Sequence, residues 1–277
     1  MWRVALASAL VSLSVQASHL DNVCKMMSAP SFTDGFLTRY NVLENLEGQL
    51  IFENHVRLRG VIRDGDKLWV LASNSLIQMN KDGSGIEGFE MDKNISMTKA
   101  GDLILVVHGG GTVTAFNTKS REVAWTSTLN EVDGGDAVSI TFDGTNALVV
   151  VTGTREGGFN GVATMNLQGK VIKTSPYDYV RAGVIDPEAI AHWHNGNLVL
   201  NNGGWIHVIT PKQLASGKKF RPRWVSHQLG SGMNAHYMML KGDFYFEGNT
   251  LVGCGLYNEQ QEGDIVRAGA LFKVQMP

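Results

Sequence analysis

Asp64-Gly-Asp-Lys-Leu-Trp-Val-Leu71 is a polar, glycine-containing turn that opens directly onto an apolar run. Four later stretches have the same grammar. They are Lys99-Ala-Gly-Asp-Leu-Ile-Leu-Val-Val107, Asp143-Gly-Thr-Asn-Ala-Leu-Val-Val-Val151, His194-Asn-Gly-Asn-Leu-Val-Leu200 and Glu247-Gly-Asn-Thr-Leu-Val-Gly253. A tight Gly/Asn/Asp turn followed at once by aliphatic residues marks a hairpin and its second strand. The opening leucines are Leu68, Leu103, Leu148, Leu198 and Leu251, between 35 and 53 residues apart. A recurrence of ~40–50 residues is what a four-stranded propeller blade requires. The sequence therefore predicts an all-β protein, a β-propeller.

What flanks each copy agrees with that reading. Ser75 to Gly83, Thr112 to Trp125, Gly161 to Gly169 and Trp205 to Pro211 are short β-rich runs closed by turn residues. No stretch keeps a helical period over three turns, and Pro211 to Gly217 suits a single helical turn. The last repeat reads one strand short, ending with Ala270-Leu-Phe-Lys-Val-Gln275. Two runs near the front, Phe36 to Leu43 and Gln49 to Glu53, form a spare strand pair. An N-terminal strand given to the final blade would close the ring and cover its edge. Five blades are favoured; counting the front pair as a blade gives six.

Val113-Thr-Ala-Phe-Asn-Thr-Lys-Ser-Arg-Glu-Val-Ala-Trp125 resembles the repeat of the quinoprotein-type (PQQ-like repeat) propellers. In that family a strand with a small residue, an aromatic or Leu and an Asp or Asn is followed by a turn and a strand ending in Trp. The resemblance covers one repeat closely and the others loosely. It implies the fold alone, and quinone binding does not follow from it.

The first seventeen residues read as a secretory signal: Arg3 in a basic head, an apolar run from Val4 to Val15, and small residues up to Ala17. The expected divisions are a signal peptide at 1–17, a lead segment at 18–30 and the propeller at 31–277. The apolar run is shorter than the ~20 residues a spanning helix needs, so no integral membrane segment is expected in the mature chain. A secreted or periplasmic location follows. There an even cysteine count permits a bridge between Cys24 and Cys254, which the proposed closure would bring together. A net charge of -2 gives no reason to expect a nucleic-acid partner.

Candidate chemistry centres on the strands that precede each leucine run, because innermost strands converge on a propeller's axis. Asp186-Pro-Glu-Ala-Ile-Ala191 is similar to the strand opening of calcium-dependent lactonase, esterase and phytase-like propellers. That resemblance implies Glu188 as a channel metal ligand. Asp136 and Asn234 hold comparable places and would add oxygens to a calcium site, with His236 as general base. His192, His194 and His207 offer imidazoles on neighbouring strands, the donor type zinc prefers. Solvated strand histidines are the commoner outcome. The polar inserts Thr154 to Asn160 and Asn258 to Arg267 suit ligand recognition, with Arg155, Phe159, Tyr257 and Arg267 as contact residues. Asn94-Ile-Ser96 is a glycosylation sequon where exported proteins are glycosylated.

Two functions stand beside each other at this point. One is an exported, non-catalytic binding or scaffold propeller that recognises a protein or glycan. The other is a calcium-dependent hydrolase of a lactone, ester or phosphate ester, working in the central channel. No resident cofactor is indicated for the first, and calcium is the cofactor of the second.

Overall fold

The computed structural model describes residues 58–80, 84–153, 158–177, 185, 189–221, 223–225, 227–229, 236–261 and 264–276. Their strands form five four-stranded antiparallel sheets. The first contains β1 (Leu58–Asp64), β2 (Lys67–Ala72), β3 (Ser75–Asn80) and β4 (Glu87–Glu90). The second contains β5 (Asn94–Ala100), β6 (Leu103–His108), β7 (Thr112–Asn117) and β8 (Glu122–Thr128). The third contains β9 (Gly135–Phe142), β10 (Ala147–Gly153), β11 (Gly161–Met165) and β12 (Val171–Pro176). The fourth contains β13 (Ile190–His194), β14 (Asn197–Asn202), β15 (Trp205–Ile209) and β16 (Arg223–Val225), with the helix α1 (Pro211–Ser216) before its last strand. The fifth contains β17 (His227–Leu229), β18 (His236–Glu247), β19 (Thr250–Gln261) and β20 (Asp264–Gln275). Each sheet is a meander in chain order, the blade of a β-propeller, so the chain is all-β with five blades.

The five repeated turns are the five hairpins that the sequence located. Gly65-Asp66, Gly101-Asp102 and Gly248-Asn249 each put only the glycine at positive φ, near 60°, the signature of a type II′ turn. Asn195-Gly196 has both residues at positive φ, as a type I′ turn demands. The third repeat uses a longer loop, in which Asp143 Oδ1 accepts from the Thr145 and Asn146 amides at 2.8 and 2.7 Å.

The unbroken apolar runs after these turns have a physical cause. The second strands β6 and β10 are each sandwiched between two neighbouring blades, so both of their faces must be apolar. Along β6, Leu105 and Val107 pack toward the third blade, while Ile104 and Val106 pack toward the first. Along β10, Val149 and Val151 face the second blade, and Leu148 and Val150 face the fourth. Fully burying one such side chain contributes ~1.5–3 kcal/mol, so these runs supply much of the driving force for stacking the blades. Tryptophan and glycine lock the second and third blades. The Trp125 indole donates to the Leu167 carbonyl at 2.9 Å, and its ring lies where a Cβ on Gly169 would stand, 2.8 Å from Cε3.

The single predicted helical turn is α1, and its ends explain its extent. Thr210 caps it with a reciprocal Gln213 bond, Pro211 occupies the first turn, and Gly217 ends it at φ 61°. Buried Leu214 seats it on the core between the third and fourth blades. Ser175 Oγ then donates to the Leu214 carbonyl at 2.7 Å.

The chain divides into two compact units, Leu46–Val225 and Met1–Asn45 with Ser226–Pro277. The first four blades belong to one and the fifth to the other. Aligned on its shared hairpin, the fifth blade places β18, β19 and β20 where the others have their first three strands, and β17 on the opposite side of β18. The sheet therefore reaches four strands from residues 227–275, and among the described residues no strand occupies the outer place beside β20. The front segments expected to fill it, like Cys24, lie outside the described residues.

Candidate functional site

In the unit that holds four blades, the first strands β1, β5, β9 and β13 lie beside one another in order. An edge strand carries unpaired amides, and here hydroxyl groups meet them. Ser96 Oγ accepts from the Ile140 amide at 3.3 Å, joining β5 to β9. Ser139 Oγ accepts from the Ala191 amide at 3.0 Å, and Thr141 Oγ1 from the Trp193 amide at 3.1 Å, joining β9 to β13. The inner strands are thus clasped directly, each hydrogen bond adding ~0.5–1.5 kcal/mol. Short hydroxyls suit this because they reach a neighbouring backbone without the desolvation cost of a charge.

Asp136 enters β9 at its second residue, half-buried, with Thr152 of β10 as its Cα partner. Around it the backbone is drawn tight. The Cα partners Gly135 and Gly153 have no room for a side chain: a Cβ would meet Val151 Cγ1 at 2.5 Å on the first, and Asn160 Nδ2 at 2.6 Å on the second. Asn160 ties this end together, its Oδ1 accepting from the amides of Gly153 at 2.9 Å and Ile185 at 3.1 Å. Thr152 Oγ1 donates to the Ile185 carbonyl. Ile185 is fully buried and Ala189 nearly so. The two ends of the Asp186-Pro187-Glu188 segment are therefore pinned in the core of the third and fourth blades, and Ile185 is held by the residue paired with Asp136.

Asp186, Pro187, Glu188 and Asn234 themselves lie outside the described residues, as does Arg155. His236 opens β18, opposite Leu229 in the register. Phe159 is described, and its half-buried ring packs against the apolar core between the second and third blades. Tyr257 and Arg267 fall in adjacent rows of the β19–β20 ladder, paired with Ala268 and Asn258. The insert 258–267, read from sequence as an extended hairpin, is regular ladder down to Gln261 and Asp264. Cys254 lies on β19, opposite Lys241 and Leu271.

The three histidines do not gather, and register gives the reason. His207 shares its cross-strand row with Leu200 and Ala191, whereas His192 shares one with Val199. One-residue alternation puts these rows on opposite faces of the blade. His207 is fully buried and bonds through Nδ1 to the Tyr177 hydroxyl, the rings stacked at 5.8 Å. Burial pushes its pKa down to about 4, so it is neutral at pH 7. Among the described residues no three His, Cys, Asp or Glu side chains come together as a metal site, and no helix is long and apolar enough to cross a membrane.

Asn94, read from sequence as a sequon and as the start of an inner strand, opens β5. It is 1% exposed, and Nδ2 donates to the carbonyls of Ala72 at 2.8 Å and Met91 at 3.0 Å. Folded, this asparagine is closed to glycosylation.

No family model matches this sequence, and no curated protein matches it.

Proposed function

We propose that this protein is an exported, non-catalytic binding propeller that recognises a protein or glycan outside the cytoplasm. The observation that carries the reading is the reach of the fifth blade. β18, β19 and β20 run for 12 residues each, against 8 or fewer for every strand of the other four blades. The register of β18 with β19 ends at Met239 and Leu256. From Tyr257 and Ala268 to Gln261 and Asp264, the other two strands pair on as a two-stranded ribbon. A ribbon of this kind offers backbone edges to a partner strand. Export rests on residues 1–17, and a Cys24–Cys254 bridge would suit the oxidising compartment they imply.

The mature chain and a variant with residues 259–266 replaced by a Gly-Asn turn, both purified, provide the test on a glycan array and a panel of extracellular proteins. The full chain is expected to bind a discrete ligand, and the shortened chain to bind it at least tenfold more weakly with unchanged circular dichroism. Binding that survives the shortening refutes a ribbon-based site.

A second reading, the calcium-assisted hydrolase, is favoured by one arrangement: Asp136 pairs with Thr152, and Thr152 holds the residue that precedes Asp186-Pro187-Glu188. Asp136 and Glu188 would there supply carboxylate oxygens to one ion.

A further inference from the structure

The chain crosses from the first blade to the second through Met91, Asp92 and Lys93, and Lys93 sits at φ 57°. This corner is dense with backbone bonds. The Met91 amide donates to Asn74 at 3.1 Å, the Asn94 amide to Ser73 at 2.9 Å, and the Gly109 amide to Lys93 at 2.9 Å. Among the described residues, two buried polar atoms beside it, Asn94 Oδ1 and His108 Nε2, have no hydrogen-bond partner.

Asn94 and His108 are Cα partners across β5 and β6. Regular alternation would aim Asn94 the same way as Ser96, toward the third blade. The register slips between them, leaving Ile95 as an extra residue. A bulge of this kind re-aims the side chain before it, and Asn94 turns to the first blade and onto the face of His108. Val106 and Ile104 pack on that face, and strand alternation puts His108, two residues past Val106, on the same side.

The protonation of both groups is fixed by what they already touch. Both amide hydrogens of Asn94 are committed to carbonyls, so Oδ1 is a pure acceptor. His108 Nδ1 lies 2.8 Å from the Asp92 carbonyl, which can only accept, so Nδ1 carries the proton and Nε2 a lone pair. Burial lowers the His108 pKa, outweighing the Asp92 carbonyl bond and the Asp92 charge, which keeps the ring neutral at pH 7. Two acceptors cannot bond each other. They need a shared donor.

We propose that Asn94 Oδ1 and His108 Nε2 hold one interior water, which donates a hydrogen bond to each and completes the corner between the first two blades. Water fits because it carries two donors in the smallest volume, and interior waters characteristically satisfy buried polar groups in this way. The row continues through Thr112 and Thr128, whose residue type can supply a further bond. A metal ion would need more donors of its own kind than one imidazole and one amide oxygen.

A crystal structure of the mature chain at neutral pH is expected to show one ordered water within about 3 Å of both atoms, without anomalous signal. Two variants read the same site energetically. His108→Leu removes one acceptor and strands the other, and is expected to lower Tm by about 3–8 °C. His108→Gln brings an amide that donates straight to Asn94 Oδ1, and is expected to restore at least half of that loss. A direct Asn94–His108 bond at neutral pH, a metal peak, or equal Tm values for the two variants would overturn the proposal. If His108→Leu fails to fold, the density in the unmodified protein decides alone.

Discussion

Acid should weaken the contact between the third and fourth blades through His207. Its side chain is fully buried, stacked on Tyr177, and held near a pKa of about 4 by burial, against 6.5 for a solvated imidazole. The sign follows from linkage. A group whose folded pKa is depressed leaves stability intact above the unfolded pKa and removes it as pH falls through the folded one. At 1.36 kcal/mol per unit, the interval from 6.5 to about 4 corresponds to ~3 kcal/mol in total, of which ~2 kcal/mol is gone by pH 5. Urea unfolding of the protein, followed by tryptophan fluorescence from pH 7.5 to 4.5, measures the sum over all titrating groups. The same series on His207→Gln isolates this one, because the amide has no proton to gain. The wild type should lose ~2 kcal/mol more than the variant between pH 7 and pH 5. An NMR titration gives a site-specific reading, with the His207 ring unprotonated down to pH 5. Parallel pH slopes in the two proteins, or a His207 midpoint near 6.5, would refute the reasoning.

Two further outcomes are expected. Gly169→Ala puts a Cβ within 2.8 Å of the Trp125 ring at a φ of +83°, and should cost ~2–4 kcal/mol with a red-shifted tryptophan emission; an unchanged spectrum would unseat Trp125 from its place on the third blade. On the hydrolase reading, calcium at a hundred times its Kd should stabilise the protein by ~2.7 kcal/mol, and both Asp136→Asn and Glu188→Gln should abolish the effect; no calcium-dependent rise in Tm removes that reading.

The blades were legible because two local signals coincide in every repeat. A turn needing positive φ selects glycine or asparagine, and a strand covered on both faces admits only apolar residues. Their conjunction leaves a mark that survives without any long-range information. Faces and registers leave no such mark. His192, His194 and His207 read as one cluster because they belong to one blade, yet β14 lies between their strands and a one-residue difference in row separates His207 from the others. Asn94 read as a sequon because its reorientation depends on a bulge at Ile95, and no residue type in that segment announces one.

The clasp between inner strands was illegible for a different reason, and it bears on where a ligand can bind. Ser96, Ser139 and Thr141 are ordinary strand residues by type, and each becomes significant only through an amide 44 or 52 residues away. Together they spend inner-strand amides that a channel ligand with carbonyl or phosphate oxygens would otherwise use. Recognition by backbone edges at that place would therefore have to break bonds worth ~0.5–1.5 kcal/mol each before forming its own. Among the described residues no third strand pairs with the β19–β20 ribbon beyond Met239 and Leu256, so binding to its backbone there breaks no such bond. The balance of exchanged hydrogen bonds thus favours the ribbon for backbone-mediated binding. It leaves to the inner strands only chemistry carried by side chains, of which Asp136 is one described example.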